Sequence, residues 1–76
     1  MFIELKDGSL YNIKDCRKIV FKQENTVYII KFIFEDDLNL EISYSSEETI
    51  LKARQNLIKF IKEKRTVISL GDLINA

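Results

Sequence analysis

VYIIKFIFEDD, residues 27–37, decides how the rest of the chain is read. At a strand's period of two, Tyr28, Ile30, Phe32 and Phe34 point one way. Val27, Ile29, Lys31, Ile33 and Glu35 point the other way. The first face is wholly apolar and the second is mostly apolar. An antiparallel sheet in a small protein usually leaves one face to water, so the second face of this strand needs a cover.

The segments around it alternate in the same way. Phe2 to Lys6 reads as a strand, and Asp7-Gly8-Ser9 as a hairpin turn. Leu10 to Ile13 returns, Lys14-Asp15 permits a turn, and residues 16–22 form a third strand. QENT, residues 23–26, is a polar turn before the opening stretch, which is the fourth and longest strand. Glu35-Asp36-Asp37 is the next turn. Leu38, Leu40, Ile42 and Tyr44 then alternate with polar residues. Turns this short join antiparallel neighbours, which predicts a meander of four to five strands.

SSEETILKARQNLIKFIKEKR, residues 45–65, changes the period. Ser45 and Glu48 fit a capping box, and a helix is expected over residues 46–64. At 100° per residue, Ile50, Leu51, Ala53, Leu57, Ile58, Phe60 and Ile61 share one half of the helix. That stripe is expected to pack on the sheet. The polar side carries Lys52, Gln55, Asn56, Lys59, Lys62 and Glu63. In the closing segment, residues 66–76, Val67 to Leu70 reads as a short strand and Gly71-Asp72 as a turn. The fold class is α+β: a meander, one amphipathic helix across it, and a short terminal segment over an edge or the back face. Seventy-six residues make one expected domain.

Composition narrows the function. An apolar fraction of 46% is that of a folded protein. Twelve basic and twelve acidic residues cancel, so no overall field attracts nucleic acid or a membrane. Cys16 has no second cysteine to pair with, and the chain has no histidine. Cys-His and Ser-His catalytic pairs are therefore excluded, and a zinc site is disfavoured. Gly8 and Gly71 are accounted for by turns. No cofactor is expected, and the reading is non-enzymatic. MFIELKDG lacks the basic and apolar regions of a signal peptide, and no apolar run is long enough to span a bilayer. A cytoplasmic protein with no membrane partner is expected.

The second face of the fourth strand sets the partner hypotheses. The C-terminal segment folds back over it, the sheet curls, or a second molecule covers it, either a copy of the chain or another protein. The interface reading places Val27, Ile29, Lys31 and Ile33 at its centre. Lys31 fits there because its stem can lie on apolar surface while its ammonium reaches water. Arg54 interrupts the apolar stripe of the helix and marks a second candidate interface residue. Glu35, Asp36, Asp37 and Glu41 form an acidic patch. Lys52, Lys59, Lys62 and Arg65 give the helix a basic face, the basis of a disfavoured alternative in which the chain binds nucleic acid.

FIELKDGSLYNIKDCRKI, residues 2–19, a following hairpin, and SSEET opening one helix together resemble small uncharacterised sheet-plus-helix proteins of phages and mobile elements of low-GC bacteria. The layout also resembles a small flagellar-operon family, although the fourth strand here is longer and VISLGDLINA lies outside that pattern. Neither resemblance carries a functional motif. They add weight to a non-enzymatic binder and nothing to a site. The role expected of the chain is a small phage or mobile-element adaptor or inhibitor that binds and occludes a host regulator, polymerase or defence nuclease.

Overall fold

The computed structural model describes residues 1–35 and 38–75. The elements run β1 (Phe2–Glu4), β2 (Leu10–Asn12), a 3-10 turn (Ile13–Asp15), β3 (Cys16–Glu24), β4 (Val27–Phe34), β5 (Asn39–Tyr44), α1 (Glu47–Lys62), β6 (Val67–Ser69) and α2 (Leu70–Asn75). The class is α+β. The strands divide into two three-stranded sheets, ordered β2-β1-β6 and β3-β4-β5, in place of one meander of four to five. The division falls at the 3-10 turn, where the Asn12 side-chain oxygen accepts from the Lys14 amide at 3.1 Å. The chain's contacts form two compact units, residues 15–50 and residues 1–14 with 51–76.

The first of these units is built from neighbours in sequence. β3 and β4 pair antiparallel up to Glu24 opposite Val27, leaving Asn25-Thr26 as a two-residue turn. The strand is thus longer and the turn shorter than the polarity of QENT suggested. Asn25 takes a φ of 56°, a conformation asparagine tolerates better than most side chains. β4 then pairs antiparallel with β5. On one face Ile30 lies between Phe21 and Ile42, and Phe32 between Ile19 and Leu40. Ile30 and Phe32 are fully buried. Each contributes about 1.5–3 kcal/mol by leaving water. Tyr44, opposite Tyr28, has its hydroxyl buried with no hydrogen-bond partner among the described residues, and burial pushes its pKa up.

The other unit joins the two ends of the chain. The Asp7 carboxylate accepts from the Ser9 amide at 2.8 Å, which holds its pKa below the ordinary value. Gly8, at a φ of 89°, closes that turn. β1 pairs antiparallel with β2 and parallel with β6, which sets Ile3 beside Tyr11 and Ile68. A parallel pair needs a crossover connection, and the chain between β1 and β6 includes α1. Phe2 lies in this sheet, between Asn12 and Val67. The expected Gly71-Asp72 turn is instead the first turn of α2. Ser69 and Asp72 cap it reciprocally, Ser69 N to Asp72 Oδ2 at 2.9 Å and Asp72 N to Ser69 Oγ at 3.1 Å.

Candidate functional site

α1 starts one residue later than the Ser45 box implied. Ser46 Oγ accepts from the Thr49 amide at 3.2 Å and lies 2.7 Å from the Thr49 hydroxyl. Ser46 is therefore the N-cap, and Thr49 stands where Glu48 was expected. The helix ends at Lys62, and Lys64 takes a φ of 57° just beyond it.

The apolar half of α1 splits into two lines. Ile50, Ala53, Leu57 and Phe60 are buried. Leu51, Ile58 and Ile61 are 51%, 37% and 47% exposed, so they are not part of the packed stripe that periodicity assigned to them. Arg54, also exposed, falls on the same line. The signal was present in the width of the stripe: a core-facing helix needs an apolar arc little over 100° wide, and this one covered about 180°. Asn56 moves the other way. Periodicity places it on the polar side, yet it is buried, and its side-chain amide donates to the Leu73 carbonyl at 2.6 Å. That carbonyl lies in the last turn of α2, where helix geometry leaves it without an intrahelical donor.

Ile61 also borders an open cleft of about 850 Å3, walled by Met1, Ile13 and Phe60 and edged by Lys14, Lys64 and Arg65. Arg65 lies over the Phe60 ring, 4.5 Å from its centroid, with its Nε 3.5 Å from Glu63. The cleft therefore offers apolar walls under a cationic rim, a combination suited to an apolar segment that carries acids. Lys52, Lys59 and Lys62, the remainder of the basic face, are exposed on α1.

The second face of β4 is differently made. Val27 is exposed at its end, Ile33 is half-buried and Ile29 is buried. The register sets Lys22 and Ser43 beside Ile29, and Val20 and Glu41 beside Lys31. Lys22 donates to Glu24 at 2.8 Å, and Lys31 lies 3.9 Å from Glu41. The first pair raises the pKa of the Lys22 ammonium and lowers that of the Glu24 carboxyl. Two lysine stems thus lie among the aliphatic residues, with their charges paired at the rim. Of the acidic patch, Glu35 is exposed, Glu41 is paired with Lys31, and Asp36 and Asp37 lie outside the described residues. Cys16 is half-buried, its thiol directed at the Lys18 and Ile33 carbonyls where the β3–β4 register shifts.

Among the described residues, no group of three or more acidic, cysteine or histidine side chains is placed to hold a metal ion. No helix among them is long and apolar enough to cross a membrane. No family model matches the chain, and no curated protein or solved structure does.

Proposed function

We propose that this chain is a small, non-enzymatic, cytoplasmic protein-binding module that acts by covering a partner's surface. The carrying observation is the exposed line Leu51, Arg54, Ile58 and Ile61 on a helix that already buries a separate stripe. Contiguous exposed aliphatic residues add nothing to a core and favour association, and such patches mark interaction sites. The adjoining cleft, with its Lys14, Lys64 and Arg65 rim, suits a partner segment that is both apolar and acidic. The layout shared with small phage and mobile-element proteins adds weight only to a non-enzymatic binder; the role proposed for it is an adaptor or inhibitor that occludes a host protein.

A displayed-peptide library selected on the intact chain, with counter-selection on Ile58→Glu, tests this. The expected result is enrichment of acidic, aliphatic peptides that bind the parent chain and not the variant. Circular dichroism must show the variant folded, as an exposed position permits. Absence of any enriched peptide, or equal binding to the folded variant, would overturn the reading.

A further inference from the structure

The line on α1 has a pattern of its own. Leu51, Arg54, Ile58 and Ile61 are spaced three, four and three residues apart, the spacing of a coiled-coil seam. Beside it, on the side away from the buried stripe, run Glu48, Gln55 and Lys62, each seven residues from the next. That flank reads acid, amide, base. Inverted and laid against itself, it is self-complementary: acid meets base at both ends and amide meets amide in the middle.

We infer that the occupant of this surface is a second copy of the chain, with the two α1 helices packed antiparallel about a two-fold axis near Gln55. This rests on the reading of the α1 line as a binding surface and names its partner. In that arrangement Leu51 rests against Ile61 of the second copy, and Arg54 against Ile58. Glu48 lies beside Lys62 of the second copy, twice by symmetry. The acidic first turn, Glu47 and Glu48, approaches the Lys64 and Arg65 rim of the opposing cleft, so the chain itself supplies the acidic, apolar segment the cleft suits. A parallel pair would put the two copies of this flank on opposite sides of the seam, so neither Glu48–Lys62 pair could form, and it is disfavoured for that reason. The seam is short and Arg54 interrupts it, so the dimer is a weak one, dissociating in roughly the micromolar range.

Light scattering across a dilution series is the first readout. The mass should fall from about twice 9.0 kDa to 9.0 kDa as the sample is diluted. Glu48→Lys and Lys62→Glu should each weaken the dimer by about fivefold to tenfold, since each replaces two attractive pairs with repulsive ones. The double variant should restore it. A merely structural role predicts the reverse, because the double variant opposes the helix dipole at both ends. Orientation is read in a Cys16→Ser background. Leu51→Cys mixed with Ile61→Cys should form a disulfide-linked pair faster than either variant alone. A monomer at every concentration up to about 1 mM, additive weakening in the double variant, or faster self-linking of Leu51→Cys would overturn the inference. A monomer that still selects α1-dependent peptides removes the self-association and leaves the protein-binding reading standing. A monomer that selects none removes both.

Discussion

The two units of this protein use similar residues in opposite ways. In residues 15–50 every strand pairs with its neighbour in sequence, and short turns set the register. In the other unit the pairing that matters joins opposite ends of the chain, Ile3 beside Ile68. The first kind of order is specified by local alternation and turn chemistry. The second exists only when distant segments meet, so it carries the larger loop-closure cost and depends more heavily on a few buried contacts.

The largest test of that contrast is truncation after Arg65. It removes β6 and α2, including Ile68 and Leu73, both fully buried. Amide exchange should lose protection throughout residues 1–14 and 51–65. Retained protection there would show that the terminal segment is dispensable. Phe32→Ala strikes the local unit instead, at a fully buried central position. Denaturant unfolding should show a loss of about 3–5 kcal/mol, and a loss below about 1 kcal/mol would mean the site collapses around the cavity.

Asn56→Leu probes one buried bond between α1 and α2. Leaving the Leu73 carbonyl unpaired should cost about 1–3 kcal/mol, and exchange should accelerate in residues 70–75 before it does in β4. If exchange in α2 is unchanged, the bond does not hold that helix. The smallest effect is expected at Tyr44→Phe, which removes a buried hydroxyl with no partner among the described residues. Stability should be unchanged or rise by up to about 1 kcal/mol. A clear loss would reveal a hydrogen bond from this hydroxyl to ordered water.

The same contrast explains what could be read in advance. The Asp7-Gly8 turn, the five successive strands and the helix were legible because each writes its own period into the sequence. The buried face of β4 was legible for the same reason. The α2 cap was also written there, as Ser69-x-x-Asp72, but a glycine beside the aspartate drew attention to a turn. Asn56 could not be recognised, because a buried amide and a solvated one look alike until the carbonyl that receives it is in place. The exposed line on α1 was partly legible. The sequence shows a stripe too wide for one interface, and only packing reveals which half is left outside.

Taken alone, the sequence determined the α+β class, the succession of β1 to β5 and α1, and a composition without histidine. These follow from local alternation and composition, which do not depend on what lies nearby in space. The tertiary structure alone decided the parallel pairing of β1 with β6 and the division into two sheets. It also decided the burial of Asn56 and the splitting of the α1 stripe. Periodicity states which side of a segment avoids water. Which distant segment provides the shelter is settled by the geometry of closure and packing, and no local pattern records it.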